Sequence, residues 1–214
     1  MSVRKKRFIT AIIVIFVLAA AVVSARFVTG GTLAIHHPNL KYKGPKDAPV
    51  HLIIYSDFQC PACRNAIGVV EGIRNQFPHD LKIEFRHFPL EQTHVWAVLA
   101  ATFAECAAEQ NKFWAFHDQV YLNQDLWSRS TDPLPIFASY VKELNLDTQQ
   151  FEACVQNPET LSKIRREHAL GVKQGVQSTP TILINNRILV GSLQLKEQGP
   201  SIITEELNKI KSKR

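Results

Sequence analysis

The sequence predicts an α/β protein, and three observations carry the prediction. A strand-like run, an amphipathic helix and a second strand-like run follow one another over 50–88. A long stretch of helical patterning begins at His94. The chain then closes with two short β-runs and a last helix. The 214 residues are 45% hydrophobic and 21% charged, with 9 Gly and 11 Pro. That balance excludes collagen-like and broadly disordered chains. Four cysteines are too few for a disulfide-scaffold mini-protein. The net charge of +6 comes from the ends, where Arg4, Lys5, Lys6, Arg7, Lys209, Lys211, Lys213 and Arg214 cluster. The body between them is slightly acidic, so it lacks the basic face that a nucleic-acid-binding core needs.

Arg4 to Arg7 precede an apolar run, Phe8 to Ala25, broken only by Thr10 and Ser24. Residues 1–25 therefore read as a cleaved signal peptide or a retained membrane anchor, and the two alternatives stay open. Both place the chain from Arg26 onward outside the cytoplasm, where disulfides persist. Residues 26–48 read as a linker, with Gly30-Gly31, His36-His37-Pro38 and the turn-rich run from Lys43 to Asp47. The histidine pair is read there as solvated.

Val50 to Asp57 is β-rich and mostly apolar, the pattern of a buried strand. Pro61 to Phe77 has Ala62, Ala66, Ile67, Val69, Val70 and Ile73 at helical spacing, and Pro78-His79-Asp80 ends it. Leu81 to Phe88 alternates Leu81, Ile83 and Phe85 with charged residues, a second strand. A strand–helix–strand unit implies a parallel pair with a right-handed crossover. Helical patterning then covers Val95–Gln110, Asn111–Leu122, Pro133–Leu144, Asp147–Gln156 and Pro158–Gly171. Thr181–Asn185 and Ile188–Val190 are short β-runs about Asn185-Asn186, a pair suited to a type I′ hairpin turn. Gln194 to Lys211 closes the chain as an amphipathic helix.

Cys60-Pro61-Ala62-Cys63 stands where the first strand hands over to the first helix. A helix N-terminus offers unpaired N–H groups and a positive dipole end, which favour a thiolate over a thiol. Proline is tolerated only in the first helical turn, so Pro61 fixes where the helix begins. Cys63, three residues on, lies on the same face. Cys60 is expected to be the exposed, attacking sulfur and Cys63 its more buried partner. Half of a zinc site is the first alternative, but Cys106 and Cys154 stand alone and supply no second pair. A purely structural bridge is the second, but a four-residue loop constrains the unfolded chain little. Reversible redox chemistry is the reading adopted, with no metal and no cofactor.

The stretches Asp47-Ala48-Pro49 and Ser56-Asp57-Phe58-Gln59-Cys60-Pro61-Ala62-Cys63 resemble the exported DsbA-like thiol–disulfide oxidoreductases. So do Phe88-Pro89-Leu90, Ala104-Glu105-Cys106-Ala107, Phe113-Trp114 with His117-Asp118, and Gly175 to Thr181. The resemblance implies a thioredoxin fold with an inserted α-helical domain. The core would be 49–91 and 172–214, and the insertion 92–171. It also implies that Pro180 is cis and faces the two sulfurs, with the Thr179 backbone pairing with a substrate peptide. One departure is notable: the buried acid that such proteins often carry six positions before the first cysteine is Ile54 here. Proton transfer at Cys63 must then use water or another group, with Asp57 and Glu84 as candidates, although solvated or capping roles suit both better.

An exported protein has little reason to keep two free thiols near a strong oxidant, so Cys106 and Cys154 are expected to form a structural disulfide; two separately buried thiols are the alternative. His87, His94 and His117 are expected to pack or cap, and Phe113, Trp114 and Phe116 to pack. The resulting expectation is a monomeric extracytoplasmic (periplasmic) oxidase that introduces disulfides into reduced or unfolded exported proteins. A membrane redox partner would reoxidise it. An isomerase or reductase, and a non-catalytic chaperone or binding module, remain the alternatives.

Overall fold

The computed structural model describes residues 41–212; the expected signal or anchor, most of the linker and the His36-His37 pair lie outside them. Residues 50–56 and 81–87 are β2 (Val50–Ser56) and β3 (Leu81–His87), paired in parallel from Val50↔Leu81 to Ser56↔His87. Between them runs α1 (Pro61–Gln76). β4 (Thr181–Ile184) pairs antiparallel with β2, and β5 (Arg187–Val190) antiparallel with β4. The sheet order is completed by β1 (Tyr42–Lys43), antiparallel to β3, giving β1-β3-β2-β4-β5.

Alternation sorts the strand side chains. Val50, Leu52 and Ile54 of β2 pack with Val70 and Ile73 of α1 and with Leu195, Ile202 and Ile203. Those last three belong to α8 (Gly191–Lys211). Tyr55 faces the other way, against Phe88, Val176 and Leu183. Each fully buried Leu or Ile in these layers contributes about 1.5–3 kcal/mol.

Between β3 and β4 lies the helical block. It comprises α2 (Ala97–Glu109), α3 (Phe113–Leu122), α4 (Gln124–Trp127), α5 (Leu134–Glu143), α6 (Thr148–Gln156) and α7 (Pro158–Lys173). Its core of Phe103, Phe116, Trp127 and Phe137 is continuous with Phe58, Cys60, Cys63 and Phe85. Asn111 and Asn145, both at positive φ, end two of these helices, the role that asparagine shares with glycine.

Three details depart from the sequence reading. The expected linker does not run to residue 48, because Tyr42-Lys43 joins the sheet and Lys41 is buried. The turn that follows requires Gly44 at φ +91, where a Cβ would sit 2.2 Å from the Leu81 carbonyl oxygen. The one-turn helix α4 has too few residues to show a period. Of the Asn185-Asn186 pair only Asn185 has positive φ, so the turn is not type I′. Asn185 is held there because its Oδ1 accepts from the His51 N–H and its Nδ2 donates to Glu206.

Candidate active site

β2 ends at Ser56, and the turn 57–59 delivers Cys60 to the start of α1. Cys60 occupies the N-cap position with extended backbone (φ −75, ψ 119), and Pro61 follows in the first turn. Asp57 shapes the turn. Its Oδ1 accepts from the Gln59 N–H at 2.7 Å, and its Oδ2 from the Leu90 N–H and His94 Nδ1, both at 2.8 Å. From α4, Gln124 Nε2 donates to the carbonyls of Phe58 (2.7 Å) and Cys60 (3.0 Å). The motif is thus clamped from both sides.

Pro61 and Ala62 are exposed. Cys60 is 7% exposed and Cys63 2%. The expectation of an exposed Cys60 is therefore corrected: it is the more accessible sulfur, but it is covered. One cover is the loop of the cis Thr179–Pro180 bond, whose Thr179 carbonyl lies 3.5 Å from Cys60 Sγ. The Thr179 hydroxyl is buried there without a partner. Cys63 Sγ accepts from the Asp57 N–H at 3.5 Å.

Both thiols are free in this structure, and their acidities split. Hydrogen bonding from Cys63 lowers Cys60 from 9.0 to about 5, against the opposing effect of burial. The backbone N–H groups of Cys63 and Ala62 at the helix start add to the lowering. Burial pushes Cys63 well above 9.0. One sulfur is a thiolate at neutral pH and the other a thiol, the division of labour that an attacking and a resolving cysteine require.

Ile54 lines a small cavity beside Cys63, together with Ser56, Phe85, His117 and Tyr121. Neither sequence-proposed acid serves there. The Asp57 carboxylate is taken up by the three donors named above. Glu84 neighbours Phe85 on β3 and so faces the opposite side of the sheet, where it pairs with Arg86 (2.8 Å) and His51 (2.9 Å). Instead, Ser56 Oγ and Tyr121 Oη lie 2.8 Å apart by Cys63. Ser56 stands two residues after Ile54 on the same strand face, a register that the sequence displayed. Tyr121 and Gln124 come from the helical block, and nothing local in the sequence pointed to them.

Cys106 of α2 and Cys154 of α6 form a disulfide, with Cα atoms 5.6 Å apart. His87 is buried against Glu105, His94 caps on Asp57, and His117 pairs with Asp118. Phe113 and Phe116 are buried, and Trp114 packs against the same core. Among the described residues no group of His, Cys, Asp or Glu is arranged to hold a metal ion. None of their helices is long and apolar enough to cross a membrane.

A dithiol opening the helix after a central strand, with helices inserted before a proline-led strand, defines a thioredoxin-like architecture of the DsbA-like kind. Residues 38–202 match the family described as Thioredoxin, and the chain belongs to that family. Among solved structures, alpha-DsbA1 of Wolbachia pipientis superposes with a TM-score of 0.70 at 23% identity, over 85% of this chain and 97% of that one. BdbD of Bacillus subtilis gives 0.69 at 21% identity, over 78% and 92%. Among curated sequences, the Na(+)/H(+) antiporter NhaA of Herminiimonas arsenicoxydans is 34% identical over 150 residues, 70% of this chain but 23% of that protein. NhaA 3 of Salinispora tropica is 33% identical over 162 residues, 76% of this chain and 24% of that protein. The chain spans about a quarter of the length of these curated relatives.

Proposed function

We propose that this chain is an extracytoplasmic thiol–disulfide oxidoreductase that works as an oxidase, introducing disulfides into exported proteins through Cys60 and Cys63. One observation carries the reading: Cys60 is held as a thiolate, with its pKa near 5, beside a Cys63 held as a thiol. A low pKa makes Cys60 a good leaving group and stabilises the reduced pair relative to the disulfide. The oxidised pair is then a strong oxidant.

In the oxidised protein a substrate thiolate attacks Cys60 Sγ. The Cys60–Cys63 bond breaks, and Cys63 leaves with the electron pair and takes up a proton. A second substrate thiolate then attacks the substrate sulfur of the mixed disulfide, releasing Cys60 as a thiolate. The substrate has lost two electrons, and the dithiol has gained them. The Thr179 backbone next to Cys60 is the proposed docking strand for the substrate peptide, and a membrane redox partner is the proposed electron acceptor. The antiport named for the curated relatives is not proposed for this chain.

The reduction potential of the Cys60/Cys63 pair, measured with Cys106–Cys154 intact, tests the direction. A value near about −120 mV supports an oxidase, whereas one near about −270 mV contradicts it in favour of a reductase.

A further inference from the structure

With the usual acid replaced by Ile54, the Cys63 proton needs another destination. The cavity beside Cys63 has a volume of about 30 Å³, room for one or two waters. Its polar lining includes Ser56, Tyr121 and His117, and His117 pairs with Asp118, which lies outside it. Ser56 Oγ and Tyr121 Oη are 2.8 Å apart, and Tyr121 Oη donates to the Asp57 carbonyl at 3.2 Å. His117 Nδ1 lies 2.7 Å from Asp118 Oδ1. Donation from Nδ1 to that carboxylate leaves Nε2 as the ring's acceptor. The imidazole is only 7% exposed while the Asp118 side chain is 60% exposed, so the pair runs from the cavity to solvent. Glu71 also lines the cavity, but Lys43 and Arg74, each at 2.6 Å, occupy its carboxylate.

We propose that the His117–Asp118 pair takes the proton of Cys63, and returns it, through this cavity. His117 is the acceptor, and Asp118 is a positioning residue that fixes the tautomer and supports the imidazolium. The inference rests on the reading of Cys60 and Cys63 as an exchanging pair. In the closing step the Cys60 sulfur is bonded to that of a second thiol, as after attack of Cys60 on a disulfide oxidant. Cys63 gives its proton to His117 Nε2 by way of cavity water or the Ser56 and Tyr121 hydroxyls. Its sulfur attacks Cys60 Sγ, the internal disulfide forms, and the second thiol departs as a thiolate with the electron pair. His117 then releases the proton to solvent.

The groups facing His117 are Asp118 on its own helix, Tyr121 one turn on, Lys43 from β1 and Glu71 from α1, among the rings of Phe58, Phe85, Phe113 and Trp114. Those facing Cys63 are Cys60, Ser56, Tyr121 and the Asp57 N–H. Burial holds His117 below its usual 6.5, so the ring is a neutral acceptor at pH 7.

The test is the closing rate of the mixed disulfide formed between the reduced full-length protein and oxidised glutathione, from pH 5 to 9. In the wild type the rate levels off above an inflection that lies below pH 6.5. His117→Gln slows closing at pH 7 by about a hundredfold, the low end for general acid–base catalysis, and its rate climbs with hydroxide throughout. Asp118→Asn, at an exposed position, slows closing less and moves the inflection to lower pH. Wild-type rates and profiles in both variants would overturn the proposal. Should His117→Gln not fold, Asp118→Asn and an NMR titration of His117 in the wild type decide. An imidazole titration that is the same in the oxidised and reduced proteins, with an unaltered Asp118→Asn profile, overturns it. Normal formation and closing of the mixed disulfide with no dependence on this pair defeats the inference alone. Failure to form a mixed disulfide at Cys60 defeats the exchange reading as well.

Discussion

At the scale of single residues, burial decides which side chains matter. Lys41 is 1% exposed and Glu105 1%. Their ion pair measures 2.8 Å, Glu167 also binds Lys41, and His87 Nε2 lies 3.1 Å from Glu105. Burial opposes the Lys41 charge, but Glu167 and Glu105 outweigh it and raise its pKa above 10.5. Burial likewise opposes the Glu105 carboxylate, and Lys41 overrides it to hold the group well below 4.5. Burial lowers His87 from 6.5 and keeps it neutral. The signs follow. The Lys41 contribution is complete below pH 10.5 and fades only above it. The Glu105 contribution is complete above 4.5 and fades as the pH falls. The neutral His87 begins to cost stability below 6.5. For the oxidised protein, in which Cys60 and Cys63 do not titrate, urea unfolding should therefore give a flat midpoint from about pH 7 to 10 and a decline below about 6.5. Glu105→Gln should cost about 3–5 kcal/mol at pH 7, because Lys41 loses one of its two counter-charges in a buried site. None of this cluster was legible locally, since Lys41 meets partners 64 and 126 residues away. Gly171 is a second hidden constraint. A Cβ there would stand 2.8 Å from Phe88 Cδ2 and 2.9 Å from Tyr55 Cε1. Alanine gains about 1 kcal/mol of helix propensity, but crowding two packed rings costs about 1–3 kcal/mol. The net prediction for Gly171→Ala is a lower urea midpoint.

Elements are legible in the sequence wherever their period runs long enough. Val50 to Ser56, Pro61 to Gln76 and Leu81 to His87 each carry their pattern in consecutive residues, and their limits in the structure lie within a residue of those expected. The helix expected from Val95 starts later, at Ala97, because His94 is held by Asp57 and Trp96 by Gln59. Two-residue β1 and one-turn α4 have no period to show. In the helical block, caps and the disulfide carry much of the local order. Asp147 caps α6 by accepting from the Gln150 N–H at 2.8 Å, and Asp147→Ala should lower stability by about 1 kcal/mol. The Cys106–Cys154 bridge spans 48 residues, worth about 4 kcal/mol in the chain-entropy treatment. Replacing both cysteines with serine should lower the denaturant midpoint accordingly. An unchanged midpoint would show that the bridge does not constrain the unfolded chain.

For the whole molecule, the active-site chemistry and the stability of the fold are one quantity. A thiolate held near pKa 5 is stabilised by folding. That contribution is complete above the unfolded value of 9.0 and fades as the pH falls toward 5. The disulfide form lacks it entirely. The reduced protein should therefore melt at a higher temperature than the oxidised protein at pH 7, and the gap should narrow toward pH 5. The architecture behind this was legible as an order of elements. The agents of the acidity split were legible only in part: the helix start was, whereas the Thr179 loop, Gln124 and Tyr121 enter from distant stretches of the chain.

The most direct test is the pH dependence of Cys60 alkylation in the reduced protein, with Cys63→Ala for comparison. The inflection is expected near pH 5 and should move upward when Cys63 no longer donates its hydrogen bond. An inflection near the free-thiol value of about 8.5, unmoved by Cys63→Ala, would contradict it.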